Sequence, residues 1–561
     1  MNATHQPFAR ARRRVCATLL AAVVAGAVVF GEPVGTPGPR LVVMLVVDQM
    51  RGDYVDKFQA NWTGGFRRFL TSGAWFRQAD YPYAHTVTCA GHATVSTGSY
   101  PSVHGMIGNT WWDRAAKRTV ACADDDAATI VSYGLPLTGR GESARALRTS
   151  TFADELRAQL DPAAKVVTLS LKARSAVTLA GQRADASVWL DDRGSWVTSS
   201  AYASAPVPAV AAFLKSHPID ADFQQTWDRL LPVDRYLFEP AAAGDVPKGG
   251  MTERFPHRLG ETSGEPDAAF FSQWQSSPNA DAYLADMALS LTEQLQLGRA
   301  GHTDFLGISF STLDKVGHDF GPRSHEIQDV LVRLDRTLDR LFTGLDRIVG
   351  ADQYVVSLTA DHGVAPIPES VRVLGLDANR LSARVIADTV ERELAVLGPG
   401  THVANADGDD VYLTTGTWAR VKAVPGLVER LRARLCAIRG VAAVYTRDDL
   451  AAVTTASDPI ARRMAASFRP DRSGDLIVLL QPYWLTSGTG TTHGTPYGYD
   501  TRVPILLMGP HVTPGEYLQP ASPADIAPTL AFLSGITLPN AQGRVLAEAL
   551  TPPAPGVRMT R

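Results

Sequence analysis

This sequence has few cysteines, almost no net charge and few long apolar runs, and each of these features excludes a class of protein. Among 561 residues, 54 basic and 57 acidic side chains leave a net charge of −3, so no overall field would draw nucleic acid or an anionic membrane surface to the chain. The sequence contains no internal repeat and no low-complexity tract. Its length suits a large globular core that carries insertions, and any affinity for an anionic ligand must be local.

The four cysteines are Cys16, Cys89, Cys122 and Cys436, and their scarcity excludes a cysteine-based zinc site. Cys16 falls in the amino-terminal segment described below, so an odd number remains if that segment is removed. A Cys122–Cys436 disulfide would suit an oxidising compartment, but spacing along the chain does not bring two α-carbons within bonding reach. The sequence leaves this disulfide open.

One apolar run stands at the amino terminus. An arginine cluster between residues 10 and 14 precedes the run Val15 to Phe30, and Ala25-Gly26-Ala27 offers small residues for a peptidase. This pattern predicts an export signal over residues 1–31 and a periplasmic or secreted mature protein that has no membrane partner. An uncleaved anchor is the alternative, although the run is shorter than the roughly 20 residues of a spanning helix. Twin-arginine export is also left open.

Three runs of apolar, often β-branched residues end at or shortly before an aspartate. They are Leu41 to Val47 before Asp48, Phe305 to Thr312 before Asp314, and Tyr354 to Ala360 before Asp361. Continuous apolar runs of this length are typical of strands buried on both faces of a parallel sheet. We therefore predict an α/β fold with a central, mostly parallel sheet and helices on both faces, and we expect functional side chains at the carboxyl ends of its strands.

Amphipathic helices are predicted between these strands. Apolar residues spaced by three and four predict one helix from Ile327 to Ile348, and a similar pattern predicts another over Asn279–Leu297. Ser522-Pro523 predicts the capped start of a late helix that Gly535 ends. Two stretches without a sustained period, about 183–278 and 367–482, are predicted to be insertions that cap the sheet edge. All these elements belong to one predicted domain over residues 39–550.

Carboxylates and imidazoles follow the predicted strands or lie in a glycine-rich loop. They are Asp48, the pair Asp314 and His318, the adjacent Asp361 and His362, and the loop residue His493. Taken singly, most would be explained as surface carboxylates or unrelated histidines. A parallel sheet brings its strand ends to one edge, however, and this convergence favours two clusters of metal ligands around a hydroxyl group. Each metal of a paired site needs about three protein ligands and an open position.

Together with the segment Thr88-Cys89-Ala90-Gly91-His92, this constellation resembles the alkaline phosphatase superfamily. Within it, the chain is similar to the single-chain bacterial PafA-type phosphomonoesterases from about residue 41 to residue 536. The resemblance implies an alkaline phosphatase-like catalytic domain that holds two zinc ions. It assigns one zinc to Asp314, His318 and His493, and the other to Asp48, Asp361 and His362 together with Thr88. Spacing alone does not identify the metal.

The same resemblance makes Thr88 the nucleophile. Coordination to a divalent cation lowers the pKa of a threonine hydroxyl and supplies the alkoxide. His92 is expected to be a structural hydrogen-bonding residue, and Cys89 to pack as a small apolar residue. The implied reaction consists of two in-line displacements that pass through a phosphothreonine and release phosphate.

Phosphoryl oxygens need further donors, and the resemblance assigns this role to Asn109, Lys172 and Arg174. The two cations follow the apolar run Val166 to Leu171, and residues two apart in an extended chain point the same way. Three such donors suit the dianion of a phosphate monoester, whereas a diester needs an apolar pocket for its second substituent. Trp111 and Trp112 are expected either to flank the leaving group or simply to pack.

Three other functions remain as alternatives. A phosphodiesterase or nucleotide pyrophosphatase would use the same scaffold, and a non-catalytic exported protein would bind zinc and phosphate without turnover. A manganese-dependent mutase is disfavoured by the export signal. A sulfatase is excluded because the segment around Thr88 has no Cys/Ser-x-Pro-x-Arg motif. We expect small phosphate monoesters as substrates, no nucleic acid as a specific partner, and a monomeric chain.

Overall fold

The computed structural model describes residues 38–551 except 192, 242, 248, 261–263 and 456. The predicted export signal and Cys16 lie outside the described residues. Within them, no helix is both long enough and apolar enough to span a bilayer.

An eleven-stranded mixed sheet organises the fold. Its spatial order is Gly515–Tyr517, Ala74–Phe76, Ile505–Met508, Tyr354–Thr359, Leu41–Val47, Asp304–Phe310, Val166–Ser170, Ala186–Leu190, Trp196–Ser199, Asp124–Ser132 and Arg140–Glu142. The five strands from Tyr354–Thr359 to Ala186–Leu190 in this order are parallel, and most strands outside them pair antiparallel. The predicted α/β class is confirmed, with a parallel centre and largely antiparallel flanks.

The central strand Leu41–Val47 explains why its sequence is an unbroken apolar run. Successive side chains of a strand face opposite sides of the sheet. The odd-numbered residues of this strand pack with the helices Pro278–Gln294 and His325–Ile348, and the even-numbered ones pack with the helices Phe152–Gln159 and Ile526–Ser534. All seven residues are buried, because helices cover both faces of the sheet.

The α-helices of the main body lie within the described residues as follows: Asp53–Lys57, Gly65–Ser72, Thr88–Thr97, Pro101–His104, Phe152–Gln159, Ala173–Ala180, Pro208–Ser216, Ala268–Gln275, Pro278–Gln294, Thr312–Phe320, His325–Ile348, Pro368–Val373, Gly498–Thr501 and Ile526–Ser534. The helices predicted over Asn279–Leu297 and Ile327 to Ile348 are present with slightly different bounds. Ser522 caps a 3-10 turn that leads into the last helix, which Gly535 ends with a positive φ of 74°.

Residues 367–482, where we predicted an irregular insertion, contain a regular α/β layer. A four-stranded antiparallel sheet has the order Val403–Asp407, Asp410–Leu413, Leu476–Leu480 and Val441–Thr446. The helices of this layer are Ala383–Leu394, Thr417–Ala423, Leu427–Cys436, Arg447–Ala451 and Pro459–Ser467. Helices and strands share a separate apolar core, which accounts for the order of a segment whose sequence has no single period.

The other predicted insertion, residues 183–278, begins inside the large sheet. Its first two strands, Ala186–Leu190 and Trp196–Ser199, are members of that sheet, so an insertion can start only after residue 199. Short pairs complete the strands of the described residues: Thr110–Asp113 with Arg118–Ala121, Thr226–Trp227 with His257–Arg258, and Asn379–Arg380 with Trp484–Leu485.

Candidate metal centre and active site

Four neighbouring strands deliver the candidate site residues to one edge of the sheet. In spatial order these strands are Tyr354–Thr359, Leu41–Val47, Asp304–Phe310 and Val166–Ser170. Because all four are parallel, the residues that follow them meet at the carboxyl edge. Two groups of side chains that could hold a metal ion lie there.

The first group consists of Asp314, His318 and His493. Asp314 and His318 are one turn apart on the helix Thr312–Phe320, so their side chains share a helix face. Nε2 of His318 lies 3.1 Å from Oδ1 of Asp314, and Nε2 of His493 lies 3.7 Å from the same oxygen. Ligands at roughly 2 Å from a zinc ion stand about 3 to 4 Å from one another, so this spread suits a single ion.

The second group consists of Asp48, Asp361 and His362, all fully buried. Nε2 of His362 lies 3.3 Å from Oδ2 of Asp361 and 3.5 Å from Oδ1 of Asp48. Nε2 of His362 and Oδ1 of Asp48 have no hydrogen-bond partner among the described residues, and Oδ2 of Asp361 has only a 3.2 Å contact with Nδ1 of His92. Buried polar atoms without partners are costly, and a shared cation would satisfy all three.

Each of the three histidines has its Nδ1 fixed as a hydrogen-bond donor, which leaves Nε2 as the ring atom that can bind a metal. In each ring Nδ1 must donate a hydrogen bond, because it faces a backbone carbonyl oxygen, which can only accept one. The distances are 2.7 Å in His318, 2.9 Å in His362 and 2.9 Å in His493. When the ring is neutral, Nε2 then carries a lone pair and no proton, and this lone pair faces carboxylate oxygens. That arrangement needs a cation or a proton between the two atoms.

A proton is disfavoured at two of these rings. Burial lowers the pKa of His362, and burial together with neighbouring imidazoles lowers the pKa of His493 well below its usual value. Both rings therefore stay neutral, which is the form that coordinates a metal. Imidazole and carboxylate are donors that zinc accepts, so the residues present fit a divalent metal pair.

The site carries more negative charge than its own lysine neutralises, which favours the binding of cations. Three buried carboxylates, those of Asp48, Asp314 and Asp361, lie near the ammonium of Lys172. Its Nζ lies 2.6 Å from Oδ2 of Asp48 and 2.5 Å from Oδ2 of Asp314. Burial, then the charges of Asp314 and Asp361, raise the pKa of Asp48. One lysine does not neutralise three carboxylates, and bound cations would complete the balance.

Thr88 is the first residue of the helix Thr88–Thr97, and its Oγ1 is buried without a hydrogen-bond partner among the described residues. Gly91 brings this helix against the strand end that carries two of the ligands. A Cβ at residue 91 would lie 2.2 Å from the carbonyl oxygen and 2.6 Å from Cα of Asp361. The missing side chain therefore allows direct contact between the helix and the Asp361 backbone.

His92 forms structural hydrogen bonds, as predicted. Its Nδ1 lies 2.9 Å from the carbonyl oxygen of Thr88 and 3.2 Å from Oδ2 of Asp361. Its Nε2 lies 2.8 Å from Oγ of Ser309, in the neighbouring strand. The ring thus links the Thr88 helix to two strand ends.

Lys172 has an extended backbone, with φ −116° and ψ 128°, but the helix Ala173–Ala180 begins directly after it. Lys172 and Arg174 therefore do not share one extended segment, and that prediction was wrong. The strand ends at Ser170, whose Oγ accepts a hydrogen bond from the Lys172 amide at 3.1 Å. Lys172 is the N-cap of the helix Ala173–Ala180, and Arg174 lies in its first turn. A serine side chain that bonds the backbone two residues on commonly turns a chain away from a sheet. Nε of Arg174 is buried and has no partner among the described residues.

The cysteines also correct the sequence analysis. Cys89 pairs with Cys122, with α-carbons 6.7 Å apart, and Cys436 is a free, exposed thiol. The disulfide that the sequence left open, Cys122–Cys436, is therefore not formed. Cys89 does more than pack, although both paired cysteines lie in an apolar cluster with Trp111. The hairpin Thr110–Asp113 with Arg118–Ala121 returns the chain to the start of the Thr88 helix, a proximity that sequence spacing does not reveal.

Gln49 was missed by the sequence analysis. Its Nε2 donates to Oδ1 of Asp314 at 2.8 Å and its backbone N–H donates to Oδ1 of Asp361 at 3.1 Å, so it links the two ligand groups. A Cβ at Gly317 would lie 1.8 Å from Oε1 of Gln49, which explains a glycine between two ligands of one helix. The only sequence signal was its place directly after Asp48 at a strand end.

Comparison with known proteins identifies the family and the fold. The profile of the type I phosphodiesterase / nucleotide pyrophosphatase family matches residues 42–500, and the chain belongs to this family. The chain is 32% identical to alkaline phosphatase PhoV of Synechococcus elongatus, over 91% of this chain and 93% of that protein. It is 31% identical to alkaline phosphatase PafA of Elizabethkingia meningoseptica, over 94% and 97% of the two chains.

A solved structure of wild-type alkaline phosphatase PafA superimposes with a TM-score of 0.82 at 30% identity, covering 92% of this chain and 99% of that chain. The predicted superfamily and fold are confirmed, and the likeness extends over nearly the whole described chain.

Proposed function

We propose that the protein is an exported, zinc-dependent alkaline phosphatase that hydrolyses phosphate monoesters through a phosphothreonine. The observation that carries this proposal is the pair of ligand groups beside the buried, unpartnered hydroxyl of Thr88. The names of the relatives at about 30% identity support the same reaction class.

The proposed zinc ligands are Asp314, His318 and His493 for one ion, and Asp48, Asp361, His362 and Thr88 for the other. When bound, the two ions would supply Lewis acidity that lowers the pKa of the Thr88 hydroxyl and stabilises charge on the leaving oxygen. The backbone carbonyls that hold Nδ1 of each histidine keep Nε2 directed at the site.

Thr88 Oγ1 would attack phosphorus in line with the leaving group, and water would then hydrolyse the phosphothreonine and release phosphate. Asn109, Lys172 and Arg174 would hold the equatorial oxygens in both steps. The Lys172 ammonium touches a carboxylate of each ligand group, so it lies where an anion shared by both metals would bind. All these contacts address the phosphoryl group, which favours a broad range of small monoesters.

A phosphodiesterase or nucleotide pyrophosphatase is the second candidate, because the family profile carries that description. Three phosphoryl donors besides the metals favour the monoesterase, since a monoester dianion presents one more non-bridging oxygen for them to stabilise than a diester does. A periplasmic or secreted location is part of the proposal, and the Cys89–Cys122 disulfide supports an oxidising compartment.

The test combines metal analysis with turnover of two substrates, an aryl phosphate and its methyl diester. We expect about two zinc ions per chain, faster hydrolysis of the monoester, and a fall in kcat/KM on the order of a thousandfold or more in Thr88→Ala. Thr88→Ser keeps a hydroxyl and serves as the matched control, with part of the activity retained. Full activity in Thr88→Ala would require another nucleophile, and preference for the diester would favour the second candidate.

A further inference from the structure

The Cys89–Cys122 disulfide lies beside the proposed nucleophile. Cys89 directly follows Thr88 in the helix Thr88–Thr97, and Cys122 follows the hairpin strand Arg118–Ala121. Both cysteines are almost fully buried, at 0% and 1% exposure. The disulfide therefore joins the start of the nucleophile helix to the end of a hairpin 33 residues later in the chain.

Asn109 is held between the two halves of this disulfide. The backbone N–H of Cys89 donates to Oδ1 of Asn109 at 2.9 Å, and the backbone N–H of Cys122 donates to the carbonyl oxygen of Asn109 at 2.9 Å. One cysteine thus fixes the side chain of Asn109, and the other fixes its backbone. The donor group Nδ2, proposed to bind a phosphoryl oxygen, takes no part in either hydrogen bond.

The bond from Cys89 also serves the helix itself. The first N–H groups of a helix lack partners within the helix, and the N-cap residue here, Val87, supplies no side-chain hydrogen bond. Asn109 satisfies one of these groups from 20 positions away. Its own segment is a two-stranded hairpin whose first residue, Thr110, is exposed, and hairpins of two strands are marginally stable alone. Trp111 and Val120 of the hairpin also pack in one apolar cluster with Cys89, and the disulfide adds a covalent link between the hairpin and the helix.

We propose that the Cys89–Cys122 disulfide is a positioning element of the active site, which fixes the Asn109 amide relative to Thr88. This inference rests on the proposed function, since it needs Asn109 to bind the phosphoryl group. A disulfide that only stabilised the fold would affect turnover equally whether or not residue 109 carried an amide. Coupling between the disulfide and Asn109 separates the two roles.

The experiment is a double-mutant cycle with four proteins: wild type, Asn109→Ala, Cys89→Ala/Cys122→Ala, and the variant with all three changes. kcat and KM for an aryl phosphate are measured below the melting temperature of each protein, with zinc content checked. We expect Asn109→Ala to lower kcat/KM about 100-fold. Loss of the disulfide should lower it about 10-fold when Asn109 is present and less than about 2-fold when residue 109 is alanine.

Cys436→Ala removes the exposed thiol and is the matched control, with wild-type turnover expected. Equal losses from removing the disulfide in both backgrounds would overturn the inference and leave the proposed function intact. No effect of Asn109→Ala alone would overturn both the inference and the proposed role of Asn109, while Thr88→Ala would still report on the nucleophile. If the double cysteine variant does not fold, Cys122→Ala alone replaces it in the double-mutant cycle. The same comparison of kcat/KM with and without Asn109 then tests the inference.

Discussion

Gly91→Ala offers a direct test of how the nucleophile helix is placed. Helix propensity by itself predicts that alanine stabilises this helix by up to about 1 kcal/mol. The structure predicts the opposite sign, because the new Cβ would lie 2.2 Å from the carbonyl oxygen of Asp361. Atoms in ordinary contact stand about 3.5 Å apart, so the helix must retreat by about 1 Å. Overpacking of this kind costs about 1–3 kcal/mol, which outweighs the propensity term.

The same displacement would move Thr88 away from the ligands that follow the strand Tyr354–Thr359. A misplacement of about 1 Å commonly costs about 100-fold in rate, and we expect a fall of that order in kcat/KM for an aryl phosphate. Urea denaturation measures the accompanying loss of stability. Gly301→Ala is the control, since a Cβ there meets nothing within 4 Å. Activity within about threefold of wild type, with unchanged stability, would refute this account of the contact.

Three further predictions follow from the charges of the protein. Lys172→Ala or Arg174→Ala should each cost about 2 kcal/mol or more in kcat/KM for monoesters, and an effect confined to diesters would contradict the specificity proposed here. Burial, then the charges of Arg472 and Arg469, lower the pKa of His104 to about 3. Because the unfolded chain takes up that proton near pH 6.5 and the folded chain only near pH 3, stability should fall by about 1.4 kcal/mol per pH unit between about pH 6 and pH 3. His104→Asn should lose this part of the pH dependence in urea denaturation, and an unchanged slope would contradict it. Finally, adding zinc to chelator-treated protein should raise its melting temperature, by the equivalent of about 4 kcal/mol at 1,000 times the dissociation constant, and an unchanged melting temperature would argue against a metal at these ligands.

Some residues of the candidate site were predicted from the sequence, and others were not. Asp48 and Asp361 were selected as candidate ligands because each directly follows a buried apolar run, and parallel strands bring such positions together. Lys172 was placed near the site for the same reason, although the helix that begins after it and carries Arg174 was not predicted. Gln49 was missed because its role comes from contacts with two other strand ends.

The amino-acid sequence by itself determined the buried parallel strands, the main amphipathic helices and the kinds of ligand that follow the strands. These features depend on local periodicity and on residue chemistry, both of which are read along the chain. The tertiary structure alone decided which cysteine pairs with Cys89, how Gly91 brings the Thr88 helix against Asp361, and how the second apolar core forms within residues 367–482. Each of these depends on distances between segments far apart in the chain, and packing of the whole fold sets such distances.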